Sequence, residues 1–279
     1  MHGQREGRYP YGNPVLVNGP DGQVLIDSAI GVVPPEADAF LLSHHHEDHV
    51  VGVAASGRPA LIHERDHAAV TSWNDFASHC GYTSSEWHAE MRGRFAWQPI
   101  ESASSFGDGF CLDLGGAVRI RSVPLPGHTP GHCGFWIEPD NVLYLGDIDL
   151  STFGPFYGDV TSCMAATRRS LETVREIDAD RYVTFHHKGM VAEPVRFRDA
   201  LDRHAAMIER RAAIVVDLVA HRPRSADELV GTGVVFRPGT HPSYGHEAER
   251  RMCLRHLDEL VAIGLVLPPD EKGRYHLRC

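Results

Sequence analysis

Apolar and polar positions alternate in short runs through the first half of the chain, and turn residues separate them. Val15-Leu16-Val17 and Val24-Leu25-Ile26 flank Gly19-Pro20-Asp21-Gly22, which predicts a β-hairpin closed at its Asp-Gly pair. Residues 39–43 predict a strand, residues 50–55 a small-residue helix or turn, and Ala60-Leu61-Ile62 a strand leading into a helix near residues 64–70. Residues 71–99 hold Trp73, Trp87 and Trp97 without clean periodicity and read as an excursion over the core, a lid. Strands return at residues 111–114, 118–123, 134–137 and 142–145. Residues 162–177 then place Met164, Leu171, Val174 and Ile177 on one helical face. A strand over residues 182–185 ends at His186-His187.

From residue 193 the pattern turns helical. Residues 198–221 form a long amphipathic stretch stopped by Arg222-Pro223, and Ser225 and Glu228 stand at capping-box spacing. A loop rich in Gly, Pro and His spans residues 231–245. A helix over residues 247–263 and a two-stranded wing around Gly273 follow. Helix, helix, helix, hairpin is the order of a winged-helix module, so the chain divides into residues 1–192 and 193–279.

Composition narrows the class. At 279 residues, 42% hydrophobic and 23% charged, the chain can bury a substantial core without staples. No apolar run reaches membrane-spanning length and no basic, then apolar, segment opens the chain, so the expectation is a soluble cytoplasmic protein with no membrane partner. Cys80, Cys111, Cys133, Cys163, Cys253 and Cys279 lack CxxC spacing and read as reduced thiols. Net charge is −10, and residues 188–279 carry 15 basic against 13 acidic side chains, leaving 12 against 24 in the first 187. An acidic front part argues against a non-specific grip on a nucleic-acid backbone. A small-molecule substrate is therefore placed ahead of nucleic acid, with a homodimer allowed.

The candidate chemistry begins where the third apolar run ends, at Leu41-Leu42-Ser43-His44-His45-His46-Glu47-Asp48-His49. Imidazole nitrogen and carboxylate oxygen suit zinc, iron or manganese. In extended backbone residues i and i+2 point the same way, so His44 and His46 can share one metal while Asp48 and His49 aim at a second. His45 points away. Pro126-Gly127-His128-Thr129-Pro130-Gly131-His132 presents a further histidine on a pinned loop, and Leu143-Tyr144-Leu145-Gly146-Asp147 presents an acid at a strand end.

The order HxHxDH, GHTPGH, GD and a late His after a strand, with Asp27 after an early strand, resembles the metallo-β-lactamase-fold hydrolase superfamily. The resemblance implies an α/β fold, the αββα four-layer sandwich, holding two divalent metals, zinc first and iron or manganese on the same ligands. Carried over, His44, His46 and His128 bind one metal, Asp48, His49 and a late histidine the other, and Asp147 bridges. His187 is preferred over His186 because His187-Lys188-Gly189 matches the usual histidine followed by glycine. His132 is read as supporting rather than ligating, and Asp149 and Tyr157 as substrate contacts. The long helix and winged-helix-like tail resemble the β-lactamase-like-protein-2 group.

The implied reaction is hydrolysis of a small ester, thioester or lactone by a metal-bridging hydroxide, with Asp48 as the catalytic carboxylate. A phosphodiesterase or ribonuclease on the same site is the alternative. A mono-iron persulfide dioxygenase-like oxidoreductase and a non-catalytic DNA-binding regulator stand further back.

Overall fold

A computed structural model describes residues 3–278. Its first sheet holds β1 (Val15–Gly19), β2 (Gly22–Ile26), β3 (Ala39–Leu42), β4 (Ala60–His63) and β5 (Ala103–Phe106) in that spatial order. The β1–β2 pair is antiparallel and the rest are parallel. The second sheet runs β11 (Met190–Val191), β10 (Arg181–Val183), β9 (Val142–Tyr144), β8 (Cys133–Glu138), β7 (Arg119–Pro124), β6 (Cys111–Asp113).

Alternation along each strand explains how the sheets stack. Val24, Ile26 and Leu41 face the second sheet's Ile120, Phe135 and Ile137, forming the inner core. Their neighbours Leu25, Phe40 and Leu42 turn the other way, onto Val53 of α1 (Val53–Ser56) and Val70 of α2 (Glu64–Thr71). Both faces of β3 are covered, which is why its sequence reads as an unbroken apolar run. On the far side Leu143, Leu145 and Tyr182 pack beneath Leu171 and Val174 of α5 (Met164–Arg175) and Phe197 and Leu201 of α6 (Pro194–His221). The layers are helix, sheet, sheet, helix.

Residues 71–99 are more regular than their sequence suggests. They form α3 (Trp73–Cys80) and α4 (Ser85–Gly93), capped by Ser72 and Ser84. Each helix spans about two turns, so the buried pairs Phe76/Cys80 and Trp87/Met91 are the whole periodic signal. The hairpin closes at Pro20-Asp21, with Gly19 paired to Gly22, one position earlier than an Asp-Gly turn.

At the C-terminal end the middle helix of the expected winged-helix order is only a 3₁₀ turn, Asp227–Leu229. The capping box forms as read, Ser225 N donating to Glu228 Oε2 and Glu228 N to Ser225 Oγ. Gly231 and Gly233, both at positive φ, end the helical path beyond it. The last helix is α7 (Gly245–Ala262), followed by β12 (Val266–Leu267) paired with β13 (His276–Leu277). α6 serves two cores: its first half packs on the second sheet, and its Val215 and Val219 pack with Cys253 and Leu257 of α7. The five described cysteines are free, and Cys279 lies outside the described residues. No helix among the described residues is long and apolar enough to cross a membrane.

Candidate metal centre

The centre is assembled at one end of the two sheets. Asp27, just past β2, takes a left-handed backbone (φ 56) and accepts hydrogen bonds from Ser43 N and Ser43 Oγ. This fixes the end of β3, and the extended chain beyond it sends His44 and His46 one way and His45 the other. A turn closed by His49 N on His46 O (3.1 Å) then swings Asp48 and His49 inward.

Two groups of ligand-type atoms result. His44 Nε2, His46 Nδ1 and His128 Nε2 form a triangle with edges of 3.0, 2.9 and 3.2 Å. Nearby, His49 Nε2, Asp48 Oδ2 and His186 Nε2 converge, the last two 3.0 Å apart. Asp147 stands between, with Oδ2 3.2 Å from His128 Nε2 and Oδ1 2.9 Å from His49 Nε2. Gly146 delivers it at φ 53, and a Cβ there would lie 2.5 Å from His132 Nε2, so the Gly-Asp pair has no room for a larger residue.

The proton positions follow from the outer nitrogens. His49 Nδ1 faces Asp27 Oδ2 (2.8 Å), His46 Nε2 faces Asp159 Oδ2 (2.6 Å), His128 Nδ1 faces the Phe156 carbonyl (3.0 Å) and His186 Nδ1 faces the Tyr11 carbonyl (2.9 Å). His44 Nδ1 lies 3.0 Å from Ser43 Oγ, whose own proton goes to Asp27. Each neutral ring therefore carries its proton on the outside and turns a lone pair inward. Three lone pairs about 3 Å apart repel unless a cation lies among them, and a tetrahedral ion with ~2.0–2.1 Å bonds holds its nitrogens roughly 3.3 Å apart. Asp48 Oδ2 and His186 Nε2 are buried, face each other at 3.0 Å and have no hydrogen-bond partner outside the centre, as atoms that share a cation would. The donor set, all nitrogen and oxygen, fits divalent zinc, iron or manganese.

Burial disfavours charge on all these rings, and neighbours decide what remains. In the metal-free protein burial, with His49 and His46 beside it, holds His44 well below the usual histidine value. Against the same burial, Asp159 raises His46 to about 9, and Asp147 and Asp48 raise His186 to about 9. Binding of a cation here would therefore displace protons and weaken as pH falls.

His44, His46, Asp48, His49, His128 and Asp147 thus come together, but the late histidine is His186 rather than His187. A left-handed backbone at His187 (φ 57) turns its ring outward, to 3.6 Å from Asp149 Oδ2, while His186 points in. His132 is a supporting group, its Nδ1 on the Leu125 carbonyl and its Nε2 accepting from Asp147 N. Tyr157 is not a substrate contact: its ring is fully buried and its hydroxyl lies in hydrogen-bond contact with His256 Nε2 at 2.8 Å. Asp149 does reach the cavity wall.

Two acids escaped the sequence reading. Asp66, on the buried face of α2, accepts from His45 N, His45 Nδ1, Thr129 Oγ1 and Gly131 N, tying the histidine run to the 126–132 loop. Asp159 orients His46 and accepts from Tyr82 OH at 2.5 Å. The signal for Asp66 was an acid among Ala69 and Val70 on a helix face that otherwise buries. Asp159 had none beyond its place after an aromatic loop.

Both groups open into a cavity of about 390 Å³ walled by Tyr9, Tyr82, Trp87, Phe153, Phe156, Phe236 and Tyr244. Its polar lining is acidic or imidazole, and neither Lys nor Arg is among the described residues that line it.

No protein-family model matches the chain. A metallo-β-lactamase family protein of Thermus thermophilus superposes over 96% of this chain and 94% of its own, with a TM-score of 0.72 and 24% identity. The chain has the metallo-β-lactamase fold. A lactamase-like protein ptaB of Pestalotiopsis fici is 29% identical over 154 residues, 55% of this chain and 40% of that protein. A hydroxyacylglutathione hydrolase of Methylococcus capsulatus is 31% identical over 145 residues, 50% of this chain and 54% of that protein. The chain spans about half the length of the curated relatives it matches. Asp27, His44 and Asp147 lie one to three residues beyond the ends of β2, β3 and β9, so one end of the sandwich carries the site.

Proposed function

We propose that this chain is a metal-dependent hydrolase of small esters, thioesters or lactones, working with two divalent cations. His44, His46 and His128 would hold one, Asp48, His49 and His186 the other, with Asp147 a ligand available to both. The observation that carries this reading is Asp147 itself, a single carboxylate with one oxygen toward each group of lone pairs. Bound there, such a pair supplies Lewis acidity and lowers the pKa of a water from 15.7 to about 7.

The chain's own residues supply the rest. Asp48, on the cavity wall with Oδ2 3.0 Å from His186 Nε2, is the carboxylate placed to orient an attacking water and take its proton. Asp27, Asp159 and the Phe156 carbonyl keep three imidazoles in one tautomer and one orientation. The aromatic wall excludes bulk water and seats the acyl group. The relatives named hydroxyacylglutathione hydrolase support a thioester among the substrates. A lining without Lys or Arg offers a phosphodiester chain no cationic side chain beyond the centre itself, which places it behind a neutral ester. Completeness of the second ligand group speaks against a mono-iron oxygenase. The C-terminal segment, which we read as a reduced winged-helix module, builds cavity wall through Phe236, Pro242 and Tyr244 rather than reading DNA.

The test is a substrate panel on protein of known metal content: thioesters, lactones, bis(p-nitrophenyl) phosphate and single-stranded RNA. Turnover of a thioester or lactone that chelator abolishes and zinc or manganese restores is expected. Cleavage confined to the phosphodiester or RNA would overturn the reading.

A further inference from the structure

The same cavity says what kind of acyl group it takes, and this step rests on the hydrolase reading above. Its wall is built by four separated parts of the chain, with Tyr9 supplied by the segment before β1. Trp87 comes from α4, Phe156 from the loop after Asp147, and Phe236 and Tyr244 from the segment between α6 and α7. The rings touch one another: Tyr82 and Tyr244 have centroids 5.3 Å apart, Phe156 and Tyr244 5.9 Å, and Phe153 and Phe236 5.7 Å. A cavity of about 150 Å³ already holds benzene, so about 390 Å³ accommodates an aromatic acyl group together with a short leaving group.

Charge sets the second condition. Glu47, Asp149 and Asp159 line the wall beyond the two carboxylates of the metal groups, and no Lys or Arg among the described residues faces them there. Asp159 is engaged with His46 and Tyr82, Asp149 with Ser151 N, and Glu47 with Tyr9 OH, so they offer little to a cationic ligand. An anionic group away from the metals would meet Asp149 and Asp159 in a partly desolvated space with no Lys or Arg among the described wall residues to offset them. We infer that the site takes an uncharged, ring-bearing acyl substrate with an uncharged leaving group, and discriminates against thioesters of an anionic peptide such as glutathione. The segment carrying Phe236 and Tyr244 is then a specificity element.

Two thioethers that share one ring and differ in charge test this: S-benzyl-N-acetylcysteamine, which is neutral, and S-benzylglutathione, which carries two carboxylates. Their binding to the metal-loaded chain is followed by calorimetry and by quenching of tryptophan fluorescence, since Trp87 lies in the wall. The neutral compound is expected to bind at least tenfold more tightly. Phe236→Lys should narrow that ratio at least fivefold, and Pro242→Lys serves if the first variant does not fold. Equal or tighter binding of S-benzylglutathione, or no binding of either, overturns the inference. Neutral-selective binding without turnover of any ester would leave it standing while the hydrolase reading falls. Turnover that favours a glutathione thioester would do the reverse.

Discussion

Asp147 faces two groups of donors with two oxygens, and the identity of the last donor on one side is the sharpest question at the residue scale. The sequence sets His186 and His187 side by side and favours His187 through the glycine that follows it. Backbone conformation separates them, because a positive φ at His187 sends the two rings to different neighbours. His186→Ala should lose about one equivalent of bound metal and nearly all hydrolysis, whereas His187→Ala keeps full metal content. Elemental analysis of the two variants decides it, and the opposite pattern would restore His187. Asp66 is the other residue whose weight exceeds its visibility. Fully buried, with four hydrogen bonds converging on it, it resists protonation: burial opposes the charge, but His45, Thr129 and the Gly131 amide outweigh burial and hold its pKa far below the usual range. Asp66→Ala strands those donors and should cost about 3–5 kcal/mol of stability by urea unfolding. A loss under ~1 kcal/mol would mean that the histidine run does not depend on this staple.

Elements explain why the motifs were legible and their supports were not. The HxHxDH, GHTPGH and GD motifs lie at or just beyond strand ends, where an apolar run gives way to polar residues, so a periodicity reading finds them. Their supports arrive from distant elements. Arg211 of α6 donates to the Phe153 and Pro155 carbonyls, and Arg255 of α7 to the Tyr157, Asp159 and Ser162 carbonyls. These two helices hold the loop that orients His128 and His46. Nothing local in the sequence announces such a contact, and the same holds for α3 and α4, too short for a periodic window.

The junction of α7 with this loop also carries a pH signature. Tyr157 OH and His256 Nε2 share a hydrogen bond, and burial, with Arg211 and Arg168 adding to it, holds His256 down to about 3. Unfolded, this histidine has a pKa near ~6.5. Between those values the unfolded chain binds the proton and the folded chain does not, so stability is intact above pH ~6.5 and falls as pH drops toward 3. His256→Gln should show a loss of stability between pH 7 and 5 smaller by about 2 kcal/mol, measured by denaturant unfolding. An unchanged pH dependence would contradict the assignment.

At the scale of the molecule, the layered architecture follows from how strands with two buried faces must be covered, and it was legible once the motifs pointed to it. The cavity was not. It needs Tyr9 and residues 80–87, 153–156 and 236–244 side by side, and the sequence gives no measure of distances between segments so far apart. The acidic balance of the first 187 residues is consistent with what lines the cavity, where carboxylates outnumber every other charged group.

All of this depends on the centre holding two cations, one on each side of Asp147. The direct measurement is a titration of chelator-treated protein with zinc, read as bound metal per chain by elemental analysis after gel filtration, with circular dichroism confirming the fold. The account predicts two equivalents for the unaltered chain and a loss of the tightly bound pair in Asp147→Ala. A folded chain that saturates at one equivalent or binds none would contradict it.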